Sequence, residues 1–294
     1  MMERAWLDES PDVDHGHGTW RSRRRSLVVV TALVMGATGN VGGAVLRGLR
    51  ERGEKVLAVS RHDRDWPEGI TGVVADPMEP GSLDAAAADV DRAFVMSGYA
   101  AEAGLLVALR DAHVVLLSAS SAGLGAGDNP LARMHLDSER AVLASGLPHT
   151  FLRPCSFQSN VVRWRDQLAE GDVVRAPFAD VPVAMVDPAD IAAVAVLALT
   201  EPGHAGAVHR LSGPEALTPP EQLRLVGEAV GRELRFAEAP DDEGGAAGID
   251  IFRHHPDLES EVHDTVPRLL GRPAGSLRNW LDRNREALGQ PPTA

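Results

Sequence analysis

Three glycines spaced three residues apart give the clearest chemical signal in the chain. Gly36, Gly39 and Gly42 lie in the run Met35-Gly-Ala-Thr-Gly-Asn-Val-Gly-Gly43. In such a loop the first glycine permits a tight turn, the second lets the backbone approach a pyrophosphate, and the third lets a helix pack closely on a strand. The N–H groups at the helix N-terminus then face the phosphates. We expect a dinucleotide to be bound by Gly36, Thr38, Gly39, Asn40, Val41 and Gly42.

The elements around this loop have the types that such a site requires. The apolar run 31–35 predicts a strand, and an amphipathic helix ending near Gly53 follows, with one apolar face formed by Val41, Val45, Leu46 and Leu49. A purely structural strand–helix turn is the other interpretation of three glycines. Strand, turn and helix in this order favour nucleotide binding.

The segment after the second predicted strand indicates which dinucleotide is bound. Domains that select NAD place an acidic residue after the second strand to bind the ribose 2′-hydroxyl. Here Ser60 and Arg61 stand there, and a guanidinium pairs well with a 2′-phosphate. Asp63 and Asp65 weaken this preference, and a solvated surface arginine is the alternative. We expect NADP(H) as the cofactor.

The usual proton donors of short-chain dehydrogenases are absent. Those enzymes use Tyr-x-x-x-Lys, whereas this chain has one tyrosine, Tyr99, with Ala103 where the lysine would stand. Its one lysine, Lys55, opens the second predicted strand. Catalysis by a Tyr–Lys pair is therefore excluded.

The wider pattern predicts an α/β fold. Between Gly36 and Thr150, apolar runs at 55–60, 72–75, 92–97 and 113–119 alternate with helical patterns at 80–88, 100–111 and 130–145. Alternation of this kind predicts a doubly wound parallel sheet with helices on both faces, and ligands then bind at the carboxyl ends of its strands. Another strand is expected at 147–153, and beyond it the pattern is less regular, with predicted elements at 173–175, 181–186, 187–199, 208–212, 219–231 and 234–237.

Composition excludes several classes of function. The formal net charge of −13 over 294 residues argues against nucleic acid or an anionic membrane as a partner. The single cysteine, Cys155, forms no intrachain disulfide and fits a reducing compartment. No apolar run is long enough to span a bilayer, so we expect a cytoplasmic protein, and no metal site is expected.

Several motifs together resemble the NmrA-like family of atypical short-chain dehydrogenases. The resemblance covers residues 30–288 and is carried, in order, by the glycine loop, Ser60-Arg61, Thr150-Phe-Leu-Arg-Pro-Cys-Ser-Phe-Gln-Ser-Asn160, Val186-Asp-Pro-Ala-Asp190-Ile-Ala-Ala, His209-Arg-Leu-Ser-Gly-Pro-Glu-Ala-Leu-Thr218 and Leu270-Gly-Arg-Pro-Ala-Gly-Ser-Leu. It implies a Rossmann domain at 30–155 and a small C-terminal α+β substrate lobe at 156–294, interleaved with the sheet. It also implies NAD(P)H binding and, in many members, reduction of quinones or related acceptors.

The resemblance assigns further residues to the site. It places Asp76, Ser97, Ser118 and Pro154 beside the cofactor, and Ser120, Cys155, Phe157 and Asn160 beside the substrate. Two alternatives stay open. Asp76 is almost as plausible as a turn or helix-capping residue, and a small buried thiol is the favoured role for Cys155.

His135 is the candidate catalytic residue. It lies in the predicted helix at 134–145, where the resembling reductases carry a lysine or a histidine. An imidazole with a pKa near neutrality can protonate or hydrogen-bond a substrate oxygen. A structural histidine is the equally weighted alternative. Glu139, one turn further along the helix, is expected either to orient His135 or to lie at the helix surface.

Two segments depart from the pattern. The resembling proteins carry a longer insertion between residues 240 and 266, so we expect an open substrate pocket here, or one closed by a partner chain. Residues 244–248 are glycine-rich and predict a flexible loop or a hinge. For residues 1–29 we expect either a disordered tail or an upstream stretch that is not translated, with the natural start at Val28, Val29 or Val30. The basic run before the first strand is not expected to direct export, because cleavage there would remove the glycine loop.

These observations predict an NADPH-dependent reductase that passes hydride to a quinone-like or conjugated carbonyl small molecule, in a bacterial biosynthetic pathway. A homodimer is the oligomer considered. Two alternatives keep the fold: a redox sensor that binds NADP(H) without turnover, and a non-redox cyclase or isomerase. Sequence alone does not identify the substrate.

Overall fold

The computed structural model describes residues 31–79, 81–99, 104–124, 129–240 and 251–289, and its strands form two parallel sheets. The strands are β1 (Thr31–Val34), β2 (Lys55–Ser60), β3 (Ile70–Val74), β4 (Arg92–Met96), β5 (His113–Leu117), β6 (His149–Pro154), β7 (Val173–Ala176), β8 (Ala207–Leu211) and β9 (Arg235–Glu238). The α-helices are α1 (Asn40–Glu51), α2 (Asp84–Ala87), α3 (Leu105–Ala108), α4 (Pro130–Ser145), α5 (Arg165–Glu170), α6 (Pro188–Thr200), α7 (Pro219–Val230), α8 (Pro256–Ser260), α9 (Thr265–Leu270) and α10 (Leu277–Asn284), and residues 251–254 are also helical. The predictions for residues 1–29 and 244–248 lie outside the described residues.

The large sheet has seven parallel strands in the order β3-β2-β1-β4-β5-β6-β8. The interior strand β1 pairs with β2 and β4, so that Val34 lies beside Ala58 on one side and Phe94 on the other. A strand covered by helices on both faces is apolar throughout, and β1 reads Thr-Ala-Leu-Val with its last three residues buried. The expected Rossmann-type doubly wound sheet is confirmed.

Two apolar cores lie on opposite faces of this sheet. Ala32 and Val34 of β1 contribute to one core, and the alternate residues Leu33 and Met35 contribute to the other, as the two-residue period of a strand requires. On the first face α1 packs against α6 at close range. A Cβ on Gly48 would lie 2.9 Å from a methyl carbon of Val196.

A second lobe has a core of its own. Strands β7 and β9 form a two-stranded parallel sheet, and the buried side chains around it include Trp164, Leu223 and Trp280. Both tryptophans are buried in this cluster. Helix α6 and strand β8 follow residue 156 yet belong to the large sheet and its helical layer. The division of the chain at residue 156 stays a prediction.

Some predicted elements are shorter or absent. The helical patterns at 80–88 and 100–111 correspond to the four-residue helices α2 and α3. Gly81 (φ +77°) and Gly104 (φ +121°) precede them in conformations that a helix does not continue. The run 181–186 does not form a strand. It makes two isolated bridges to different segments, Val183 with Leu217 and Val186 with Phe157.

Candidate active site

The glycine loop has the geometry expected of a phosphate cradle. Gly36 adopts φ +61°, and its carbonyl oxygen accepts the Gly39 N–H at 2.8 Å, which closes the turn after β1. Helix α1 begins at Asn40, with Gly39 as an N-cap that has no side chain to bind the first-turn N–H groups. These donors therefore remain available to an anion at the helix N-terminus.

The close approach of helix and strand requires glycine at position 42. A Cβ on Gly42 would lie 2.2 Å from the Gly36 carbonyl oxygen and 2.7 Å from that of Met35. Thr38, Gly39 and Asn40 are exposed, as a ligand-facing loop requires, whereas the Val41 side chain is buried in the core. Val41 can reach a phosphate only through its backbone. The residues present thus fit a bound dinucleotide.

The segment after β2 presents Arg61 to solvent. Among the described residues its side chain has no hydrogen bond or ion pair, so it is free to bind a phosphate. The neighbouring Arg64 is held differently, since its guanidinium carbon lies 4.9 Å from the centre of the Trp66 ring. Asp76 follows β3 and accepts the Met78 N–H at 3.0 Å, which is the turn role left open by the sequence. A contact between Asp76 and the adenine side of the cofactor stays a prediction.

His135 and Ser97 form a hydrogen-bonded pair. His135 lies on α4 and Ser97 directly follows β4, with 2.6 Å between His135 Nδ1 and Ser97 Oγ. Desolvation lowers the pKa of His135, and the charge of Glu139 opposes this in part. The imidazole is therefore neutral at pH 7, so it can accept a hydrogen bond at one ring nitrogen and donate at the other.

Glu139 has partners other than His135. Its carboxylate accepts the Ser118 hydroxyl at 2.7 Å and two N–H groups of Arg153, at 2.9 Å and 2.6 Å. Glu139 is 2% exposed, and its hydrogen bonds raise the pKa of Arg153. The cluster ties α4 to the ends of β5 and β6. Glu139 thus fixes the position of the helix that carries His135 and acts on the imidazole only through its charge.

A second buried carboxylate covers the ends of β5 and β6. Glu259 of α8 accepts the Ser120 hydroxyl and, at 2.7 Å, the backbone N–H of Ser156. Ser120, expected beside the substrate, is therefore buried and bound to Glu259. The expectation of an open pocket, or of one closed by a partner chain, stays a prediction. Although the segment is short, α8 lies directly on the strand ends because its carboxylate satisfies two donors there.

The other predicted residues after β6 lie beside the core. Cys155 is 2% exposed, and burial raises the pKa of its thiol, so it is the inert buried cysteine that the sequence favours. Pro154 is buried at the end of β6, and its contact with the cofactor stays a prediction. Phe157 and Asn160 are half-buried at the start of the following 3-10 helix. Their contact with a substrate also stays a prediction.

A cavity of about 400 Å³ lies between the second lobe and the segment that follows β6. The residues that line it are mostly apolar or aromatic, with two arginines and two glutamines: Ser156, Arg163, Trp164, Gln167, Arg175, Ala176, Pro177, Phe178, Val181, Val183, Met185, Pro219, Gln222, Ala239 and Phe252. Ser156 connects this cavity to the end of β6. None of the four residues predicted to contact substrate is among these described lining residues.

Residues 36–202, more than half of the chain, match the family model described as NAD(P)H-binding. The chain belongs to this family. The expected dinucleotide cofactor is thereby confirmed. No helix in the described part of the chain is long and apolar enough to cross a membrane.

Two relatives match nearly the whole chain. A (4-alkanoyl-5-oxo-2,5-dihydrofuran-3-yl)methyl phosphate reductase of Streptomyces griseus is 35% identical over 278 residues, covering 87% of this chain and 98% of the relative. An NAD(P)H azoreductase of Xenophilus azovorans is 30% identical over 286 residues, covering 87% and 99%. The fold also matches an NADPH-dependent quinone oxidoreductase of Escherichia coli crystallised with NADPH, with a TM-score of 0.70, 21% identity and coverage of 86% and 99%. The family model and these relatives together confirm the resemblance to NmrA-like atypical short-chain dehydrogenases, and the protein is an NAD(P)H-dependent oxidoreductase.

Three residues that organise the site were not predicted from the sequence. Arg153 donates to Glu139, Glu259 accepts from Ser120, and Ser138 accepts the Gly98 N–H at 2.9 Å. Arg153 lies inside the motif Thr150–Asn160, which was the available signal. Nothing in the sequence around Glu259 distinguishes it from a surface acid.

Proposed function

We propose that the protein is an NADPH-dependent reductase of a small molecule whose reducible double bond is conjugated with a carbonyl group. The observation that carries this proposal is the neutral His135–Ser97 pair at the carboxyl edge of the sheet, where the glycine loop also lies. A neutral hydrogen-bond donor suits an acceptor that spreads its incoming charge over a conjugated system.

The relatives support this substrate class. The name of the Streptomyces griseus reductase describes a lactone ring whose carbon–carbon double bond is conjugated with both the ring carbonyl and the alkanoyl group. The second relative is named for azo compounds, which are also conjugated acceptors. Such compounds accept hydride at one end of the conjugated system and develop negative charge on an oxygen or nitrogen at the other.

The cofactor would be held by the glycine loop, with Arg61 at the 2′-phosphate, and when bound it supplies the hydride. The protein's own task is then to orient the acceptor and stabilise the developing charge. With Ser97 donating to Nδ1 of His135, the Nε2–H of the imidazole donates to the substrate oxygen. A hydrogen bond that strengthens as charge develops lowers the barrier, typically by a factor of about 10²–10³.

The test is steady-state NADPH oxidation with a 4-alkanoyl-2,5-dihydrofuran-5-one and a 1,4-quinone as acceptors. We expect turnover of the wild type, with kcat lowered about 10²-fold in His135→Phe and less in Ser97→Ala. A parallel fluorescence titration reports whether NADPH is bound in each variant. Tight binding without oxidation of any conjugated acceptor would favour the sensor or the non-redox enzyme instead.

The preference for NADPH has its own test. Arg61→Ala removes the one charge–charge contact expected at the 2′-phosphate, so the Kd for NADPH should rise about tenfold while that for NADH stays unchanged. Arg64→Ala serves as the matched control, because that guanidinium lies over Trp66. Equal losses for both dinucleotides in Arg61→Ala would refute the assignment. The homodimer, the cytoplasmic location and the biosynthetic role stay predictions.

A further inference from the structure

Two arginines that line the cavity have no acidic partner. Arg163 lies on the 3-10 helix after β6, and Arg175 lies on β7. In the part of the chain that the structure describes, neither side chain makes an ion pair or a hydrogen bond, and no aspartate or glutamate lines the cavity. The formal net charge of the chain is −13, whereas the ionised residues that line the cavity in the described part of the chain are two arginines.

Both arginines are exposed at the cavity, and Gln167 fixes the backbone of Arg175. Gln167 uses both ends of its amide on the Arg175 backbone, accepting its N–H at 2.7 Å and donating to its carbonyl oxygen at 3.1 Å. Solvent reaches the Arg163 side chain, yet the protein atoms around the guanidinium desolvate it and lower its pKa. The cation therefore lies in a concave part of the surface and lacks the stabilisation that an anion would supply.

The rest of the cavity is apolar and aromatic. Phe178 adopts φ +60°, which is unfavourable for a residue with a Cβ, and its ring lies 5.9 Å from that of Phe252. Trp164 and Met185 add apolar surface. A ligand that fits this cavity combines an apolar body or chain with an anionic group.

We propose that Arg163 and Arg175 form an anion subsite that binds a phosphate monoester carried by the substrate, with the substrate's acyl chain against Phe178 and Phe252. This inference rests on the proposed reductase function, because it assigns the anion to the compound that is reduced. Guanidinium groups bind phosphate oxygens through paired, charge-assisted hydrogen bonds.

The experiment is calorimetric titration of a (4-alkanoyl-5-oxo-2,5-dihydrofuran-3-yl)methyl phosphate and of the alcohol that lacks its phosphate. Both are titrated into the full chain saturated with NADP⁺, so that the glycine loop is occupied and cannot bind the ester. In the wild type we expect the ester to bind at least about tenfold more tightly than the alcohol. In Arg163→Met and Arg175→Met that preference should fall to about threefold or less, while affinity for the alcohol is kept.

Arg140→Met is the matched control, since Arg140 is exposed on α4 and is not among the described residues that line the cavity. It should keep the wild-type preference. Equal affinity for ester and alcohol in the wild type, or an unchanged preference in both cavity variants, would overturn the subsite. NADPH oxidation is measured separately with both compounds. An intact preference for the ester without any turnover would refute the reductase and leave the subsite standing.

Discussion

Replacing Glu139 by glutamine tests whether the buried carboxylate positions α4, the helix that carries His135. The change keeps the shape of the side chain but removes its charge, and its amide group would face a donor, either Nη2 of Arg153 or the Nε–H and the Ser118 hydroxyl. Two donors then confront each other in a site where Glu139 is 2% exposed.

The expected cost follows from the burial of each partner. Removing one member of a fully buried ion pair costs about 3–5 kcal/mol. The Arg153 side chain is 23% exposed, so water compensates part of its lost partner. We expect Glu139→Gln to lower the free energy of unfolding by about 2–4 kcal/mol. Arg153→Met should cost about 3–5 kcal/mol, because it leaves the more deeply buried carboxylate without its cation.

Urea unfolding followed by tryptophan fluorescence measures these differences, and the double variant completes a thermodynamic cycle. We expect a coupling of about 2 kcal/mol between the two positions. Asp137→Asn is the control on the same helix, because its pair with Arg140 is exposed, with about half of each side chain reached by solvent. It should cost under about 1 kcal/mol. If Glu139→Gln cost no more than this control, or if the two cluster substitutions were additive, the positioning role would be refuted.

Two further predictions concern the glycine loop and the edge strand β8. Gly42→Ala forces a Cβ against the Gly36 carbonyl, so it should lower the free energy of unfolding by about 2–3 kcal/mol and abolish tight NADPH binding. In the control Gly43→Ala the Cβ would lie 3.2 Å from the Ala37 carbonyl oxygen, and stability should stay within about 1 kcal/mol of wild type. Chemical unfolding and fluorescence titration measure both. Burial lowers the pKa of His209 from 6.5 to about 4, so the unfolded chain binds a proton first as the pH falls. Stability should therefore decrease by about 3 kcal/mol between pH 6.5 and pH 4, and unfolding curves of His209→Gln should lack that part of the slope.

The features that could be predicted from sequence are those encoded locally. The glycine spacing, the strand–helix alternation and the place of His135 all depend on residues within one or two elements, and the structure has them where the pattern indicates. Glu259 and Ser120 are separated by 139 positions, and the cavity is lined by residues from 156 to 252. No local pattern encodes such pairings, because they depend on how α8 and the second lobe pack against the sheet. The helices α2 and α3 were predicted but at greater length, since glycine conformations interrupt otherwise helical sequences.

Without a Tyr–Lys pair, a proton for the substrate would have to come from another side chain at the sheet edge, and the serines there do not supply one. Ser118 and Ser120 follow β5, and each donates its hydroxyl to a buried carboxylate, Glu139 or Glu259. The protons of both hydroxyls are therefore held by protein carboxylates, and the contacts of Ser118 with the cofactor and of Ser120 with the substrate stay predictions. Ser97 instead bonds His135, whose lowered pKa makes it a poor source of a proton at pH 7 but an adequate neutral donor. An unconjugated ketone would localise a full charge on oxygen and need a proton at once. A conjugated acceptor delocalises that charge, so the proposed reduction needs a neutral hydrogen-bond donor rather than an immediate proton source.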